Sequence, residues 1–412
     1  MQSDQFVRLM GRVLAIFAAA TTLLGGSFAA NAPETIYSFA GGSDGEYLDT
    51  DLVIDRMGNL YGTSVQGGDF ASGTVWELSP SANGWTHTVL YSFRGGTDGG
   101  EPYKGATLDN HGNLYGTAVT GGGGSCEGGC GVVWKLTRSG SSWTQSVIHT
   151  FTGGDDGSGP GSGLTLGANG TLYGMTPTGG ANGQGVIFQL KSTRNGTWNF
   201  TVLHAFTGGN DGSGGSAGRL LRHKGSLYGV TTTGGANGQG VVFQLTHFAG
   251  VWQFTTLYAF RGQPDAGFPY GGLAFDSTGN LYGTSYYDGA NNLGSVYQLV
   301  PQPDGTWTET ALYSFKGGLD GSGSISNVVF SKTGSVYGTT SAGGASCDCG
   351  TIFKLTAGAN GGWKESIVYR FHGAPDGAFA YNGMVGDRDG NFYGTTVHGG
   401  TTDDGVIYKF TP

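Results

Sequence analysis

Between residues 307 and 355 the apolar and polar positions fall into short runs separated by glycine-rich turns. Residues 307–315 (WTETALYSF) alternate and are rich in β-branched and aromatic side chains, which predicts a strand. The turn cluster 316–321 (KGGLDG) follows it. Residues 325–330 read as a second strand and residues 335–340 as a third, joined by a tight hairpin through Ser331, Lys332, Thr333 and Gly334. Beyond a glycine-rich loop, residues 351–355 read as a fourth. No segment of this unit carries the 3.6-residue apolar period of a helix.

The unit recurs. Leu60-Tyr61-Gly62 returns as Leu114-Tyr115-Gly116, Leu172-Tyr173-Gly174, Leu227-Tyr228-Gly229, Leu281-Tyr282-Gly283, Val336-Tyr337-Gly338 and Phe392-Tyr393-Gly394. Successive tyrosines are 54, 58, 55, 54, 55 and 56 residues apart. A repeat of that length built from short strands predicts propeller blades. One four-stranded sheet buries little alone, whereas sheets stacked face to face around an axis bury both faces. The expected fold is all-β: a seven-bladed β-propeller with four antiparallel strands per blade, filling residues 31–412 as one domain. Residues 33–39 (PETIYSF) match an outermost strand with no blade before it, and the chain ends just after residues 406–410 with no outermost strand after it. The N-terminal strand is therefore expected to complete the last blade and leave no open sheet edge.

Two segments recur most clearly: residues 276–284 (DSTGNLYGT) and residues 95–99 (GGTDG). Over residues 34 to 412 the pattern resembles the GloVer family, a tandem-repeat family of exported bacterial proteins. The resemblance implies export and a repeat scaffold. It implies no settled activity.

Composition narrows the reading further. The 84 glycines among 412 residues lack a three-residue period, and 12% of the chain is aromatic, so they reflect many tight turns and not a collagen or a disordered chain. With 20 basic and 29 acidic residues the net charge is −9, and no basic stripe is present, which argues against a nucleic-acid partner. Residues 1–30 differ from the rest. Arg8 and Arg12 precede an apolar run from 13 to 24 and a small-residue zone around Ala29 and Ala30, the pattern of a cleaved signal peptide. The run is too short for a convincing membrane span. A secreted monomer is expected, extracellular or periplasmic, with no membrane span after cleavage. In that setting the close pairs Cys126/Cys130 and Cys347/Cys349 are expected to form two local disulfides.

The most regular polar feature is one aspartate in each turn between blades: Asp44, Asp98, Asp156, Asp211, Asp265, Asp320 and Asp376. Each sits beside glycine, so each can cap its own turn through its side chain. The functional alternative is a ring of carboxylates at the channel mouth, binding a ligand or a cation such as Ca²⁺. No other cofactor and no metal site is expected. A second recurrent aspartate, at Asp55, Asp109, Asp276 and Asp387, reads as a hairpin turn on the opposite face. The repeated tyrosines lie mid-strand and are expected to pack between blades. No nucleophile elbow, zinc-binding helix or phosphate loop occurs. Departures from the repeat on the loop face are Glu46, Asp49, Asp69, Glu101, Glu127, Asp155, Asp288, Asp348, His372, His398, Asp403 and Asp404. Two function classes remain. The first is a non-catalytic binding or scaffold module for an extracellular glycan or protein. The second is a polysaccharide lyase or hydrolase using two or three of these groups near the central channel. Near-equivalence of the repeats favours the first, with no catalytic residue assigned.

Overall fold

In every repeat a large aromatic side chain needs room, and a glycine supplies it. Gly62 lies opposite Trp76 on the neighbouring strand. A Cβ on Gly62 would come within 2.4 Å of the indole, and one on Gly116 within 2.2 Å of Trp134. The tryptophans can therefore lie flat across the sheet, and both are fully buried. That contact is why glycine follows tyrosine at all seven stations.

The computed structural model describes residues 32–215 and 218–412. The signal segment expected over residues 1–30 lies outside the described residues. Seven antiparallel sheets form, one per tripeptide, and we number the blades by the order of these tripeptides. Blade 1 runs from the inside outward as Val53–Ile54, Leu60–Ser64, Thr74–Ser81 and Gly84–Ser92. Blade 7 takes its outermost strand from the N-terminus: Glu34–Ser38 pairs antiparallel with Val406–Phe410, Ser38 opposite Val406. The architecture is the seven-bladed, four-stranded propeller read from the repeat, closed by its first strand.

Apolar clusters lie between blades. Tyr61, Val75 and Phe93 of blade 1 pack with Leu114, Trp134 and Leu136 of blade 2. Tryptophans that open the outermost strands key onto the preceding blade: Trp85 meets Tyr393 edge-on at 6.0 Å, and Trp252 meets Tyr173 at 5.8 Å. Such edge-to-face pairs add to the burial of both rings. Disulfides join Cys126 to Cys130 and Cys347 to Cys349. Among the described residues no helix is long and apolar enough to cross a membrane.

The innermost strand departs from expectation. Residues 325–330 were to form one strand in blade 6, yet only Val329–Phe330 are laddered there. Upstream, one bridge joins Ser322 to Ala342. Between the two, the backbone turns left-handed at the same station in blade after blade: φ is 59° at Tyr47, 54° at Glu101, 52° at Phe268, 60° at Gly323 and 60° at Phe379. Four of these five are not glycine, so the conformation is held against an intrinsic cost. In blades 1, 2, 6 and 7 the five residues that follow lie off the ladder, and Asp51, Lys104, Asn327 and Asn382 among them line one central cavity.

Candidate functional site

Three sets of side chains could carry function: the turns between blades, the hairpins on the opposite face, and the lifted segments around the axis.

The seven turn aspartates are engaged in a common clamp. The residue seven positions earlier donates to each carboxylate: Tyr37 to Asp44 at 2.8 Å, Tyr91 to Asp98 at 2.7 Å, Tyr258 to Asp265 at 2.8 Å, Tyr313 to Asp320 at 2.7 Å, and Tyr369 to Asp376. In two blades histidine replaces tyrosine, with His149 against Asp156 at 3.2 Å and His204 against Asp211 at 2.9 Å. A backbone N–H four residues before the aspartate donates as well, as from Ala40, Lys316 and His372. The next blade sends one outer-strand residue against six of the seven clamps: His87 beside Asp44, Gln145 on the Asp98 carbonyl, Glu309 beside Asp265, Glu365 beside Asp320, and a phenylalanine at the two histidine clamps. Where the clamp is histidine the incoming residue is phenylalanine, stacked at 3.9 Å for His149 on Phe200 and 4.0 Å for His204 on Phe254. Burial favours the neutral form of both imidazoles and holds them below the usual histidine range, despite the adjacent aspartates. Among the described residues no group of three or more His, Cys, Asp or Glu is arranged to hold a metal ion.

The second aspartate set ties the hairpin to the tyrosine of Leu-Tyr-Gly. Asp109 accepts from the backbone N–H groups of His111 and Asn113, from the Asn113 amide at 2.8 Å and from the Tyr115 hydroxyl at 3.0 Å. Burial alone would raise this carboxyl, yet those bonds outweigh it and hold Asp109 below the usual carboxylate range. In blade 4, which lacks the aspartate, Gln244 donates to the Tyr228 hydroxyl at 2.8 Å. A hollow of about 1000 Å³ opens on this face, lined by Arg56, Arg138, Arg388 and Lys409 among others. Three of its four aspartates, Asp55, Asp109 and Asp387, are already spent on turns.

The axis is where the blades stop being copies. Three residues before the first laddered position stand Thr50, Lys104, Ser162, Gly218, Gly271, Ser326 and Asn382. One residue later come Asp51, Gly105, Gly163, Arg219, Gly272, Asn327 and Gly383. From these two stations a charged cluster assembles. The Lys104 ammonium pairs with Asp49 of blade 1 and donates to the Asn382 amide oxygen of blade 7 at 2.9 Å. Asn382 donates in turn to the Leu48 carbonyl at 3.3 Å. Lys104 is 6% exposed and Asn382 2%. Burial disfavours the ammonium, but Asp49 and Asp51 overcome that and hold Lys104 above the usual lysine range. Asp51 is pushed up by burial, which Arg219 and Lys104 oppose. Arg219 reaches across blade 3 to Thr107 of blade 2, with Nη1 to Oγ1 at 2.6 Å.

Asp51, Lys104, Arg219, Tyr270, Tyr381 and Asn382 are among the residues lining a cavity of about 270 Å³ in the channel. Two tyrosines, Tyr270 and Tyr381, stand in its wall. Burial pushes the hydroxyls of Tyr103 and Tyr381 upward, and the nearby Tyr47 and Asp49 add to this in both. His398 lies edge-on to Tyr47 at 6.1 Å and to Phe379 at 5.8 Å. Tyr270 is 36% exposed.

Of the departures named from the sequence, Asp49 joins the channel cluster, Glu101 adds to the upward push on Tyr103, and His398 lies edge-on to Tyr47. Glu46, Asp348 and Asp403 accept backbone N–H groups in their own loops. His372 binds Asp376, and Asp288 lies over Gly267. Asp404 lies against Gly41, while Asp69, Glu127 and Asp155 stand in the outer loops. Sequence reasoning passed over Asp51, Lys104, Arg219 and Asn382. The signal existed: Lys104 and Asn382 both stand 11 residues before a repeat tyrosine, where the other repeats carry Thr, Ser, Ala or Gly.

The family model for the Gloeobacter/Verrucomicrobia repeat matches residues 123–346 and 253–412. No curated protein sequence matches the chain. Solved structures with a similar fold include a provisionally assigned 6-phosphogluconolactonase from Bacteroides uniformis, 11% identical with a TM-score of 0.52, covering 82% of this chain and 88% of that one. A protein from Lactobacillus plantarum is 11% identical with a TM-score of 0.51, covering 85% and 90%. At that identity the likeness shows the fold alone.

Proposed function

The chain belongs to the Gloeobacter/Verrucomicrobia repeat family, and on that scaffold we propose a secreted, non-catalytic binding module that holds one end of an extracellular glycan in the mouth of its central channel. The observation that carries this is the loss of symmetry at the axis. Turns and hairpins repeat because they build blades; the lifted segments differ from blade to blade and bring Asp49, Lys104 and Asn382 together, with Tyr270 and Tyr381 in the wall of the same cavity. Ligand sites combine apolar and aromatic walls with a few placed polar groups. Tyrosine offers an apolar face and a hydroxyl together, which suits a sugar ring with its alternating C–H and O–H surfaces. In this reading residues 31–412 act as one domain, exported by the segment over residues 1–30, and the seven clamped aspartates shape the rim. A polysaccharide-cleaving enzyme is the second reading, favoured only by two carboxylates, Asp49 and Asp51, two residues apart at one site, the first already paired with Lys104.

One experiment addresses both. The mature chain is screened on a glycan array, and hits are assayed for new reducing ends or unsaturated products. Binding without product, weakened at least tenfold in Y381A, is expected. Product formation abolished by D51N moves the protein to the second reading, and an empty array defeats the first.

A further inference from the structure

The charge of the ligand can be read from Arg219, and this inference rests on the channel being a ligand site. Arg219 enters from blade 4, and small residues in blade 3 let it pass: a Cβ on Gly163 would stand 2.8 Å from its Nε. Its partners are neutral. Nη1 donates to Thr107 Oγ1, and Nη2 to the carbonyls of Ala106 at 3.2 Å and Lys104 at 3.4 Å. Among the described residues its nitrogens form no ion pair, and Nε makes no hydrogen bond.

Lys104 makes the contrast. Its charge is met at contact distance by Asp49. The carboxylate nearest in effect to Arg219 is Asp51, which lies outside ion-pair contact and which burial pushes toward its neutral form. A guanidinium sunk in protein without a carboxylate at contact is costly to maintain. Its planar fork is the shape that receives a carboxylate through two parallel bonds. The side chain lines the channel cavity beside Tyr270 and Tyr381, so a ligand between those rings would meet it.

We propose that the channel selects an acidic glycan end, a uronic-acid sugar whose ring lies between Tyr270 and Tyr381 and whose carboxylate sits on Arg219. Asp51 would then be a gatekeeper: in its charged form it competes for the guanidinium and repels the ligand, so binding should strengthen as pH falls. Lys104, which flanks Asp51 and pairs with Asp49, is held above the usual lysine range and stays charged as pH falls.

Uronic-acid oligosaccharides and their carboxyl-reduced neutral counterparts, titrated calorimetrically onto the mature chain, test this. At least tenfold tighter binding of the acidic member is expected, with parity between the two members in R219Q and a partial preference in R219K. The wild-type comparison stands even where a variant fails to fold. Equal wild-type affinities, or a preference that survives in folded R219Q, would overturn the inference while leaving glycan binding intact. Tighter binding of sulfated sugars than uronates would overturn the carboxylate assignment. Failure of every sugar to bind would remove the underlying reading as well.

Discussion

At the scale of single residues, the repeat is a record of clashes avoided and polar groups satisfied. Gly116 shows the first. Its Cβ would meet the Trp134 ring at 2.2 Å, a distance that forces the buried indole or the strand to move. Overpacking of this kind costs about 1–3 kcal/mol, and the rigidity of a fully buried tryptophan puts Gly116→Ala at the upper end. Gly112→Ala makes a useful contrast, since nothing lies near its Cβ although its φ is 82°. Chemical denaturation should show G116A losing more stability than G112A; the reverse order would mean that the indole is not what the glycine serves. The sequence displayed these positions openly, because seven copies made each constraint visible. It hid Lys104 and Arg219 for the same reason. Each occurs once, in a segment whose neighbours are Gly, Ser and Thr, and a lone cation in an apolar run carries no local sign that it points at an axis. The bulge that aims it is written in backbone dihedrals at Tyr47, Glu101, Phe268 and Phe379, residues that no rule of composition marks as left-handed.

At the scale of elements, strand order follows from pattern and the closure follows from the ends. The third strands are apolar on consecutive positions because both faces are covered by neighbouring blades, as in Val132-Val133-Trp134, all fully buried. The outermost strands alternate because one face is wet, as the half-buried and exposed residues of Trp363–Arg370 show. The innermost strand was overestimated: of residues 325–330 only Val329–Phe330 are laddered, while Ile325 and Asn327 line the channel cavity. Glu34–Ser38 is the element whose removal should matter most. It supplies the edge strand for Val406–Phe410, and Phe39 beyond it is fully buried between blades 7 and 1. Deleting residues 32–39 would leave that strand edge open and a cavity the size of phenylalanine, worth about 3–5 kcal/mol for the ring alone. A large fall in melting temperature is expected, with partial recovery when a peptide of residues 32–39 is added back; an unchanged melting temperature would show that the ring does not depend on this closure.

At the scale of the whole molecule, many clamps titrate together, and their signs decide where the propeller is most stable. Asp44, Asp109, Asp211, Asp276 and Asp387 all lie below the usual carboxylate range; in each, burial pushes upward and is outweighed by hydrogen bonds to the charged form. Their stabilisation is present above the unfolded value of 3.8 and is lost as pH falls below it. His149 and His204 act in the same direction earlier. Held below the unfolded 6.5 chiefly by burial, they cost stability as pH drops from there and the unfolded chain takes up protons first. Glu309 and Glu365 oppose them. Burial, and then the aspartate of the adjoining clamp, pushes both upward, Glu365 to about 7 against an unfolded 4.5. Here the folded state holds the proton more tightly, so the contribution of each is full below pH 4.5; that of Glu365 declines as pH rises through about 7 and that of Glu309 as it rises through about 9. A melting-temperature profile should therefore peak in mildly acidic solution and slope downward on both sides. Replacing Glu309 and Glu365 together by Gln should flatten the alkaline slope and leave the acid slope untouched. Gln keeps the shape and removes the ionisation, so an alkaline slope that persists in the double variant would place its origin outside these two clamps.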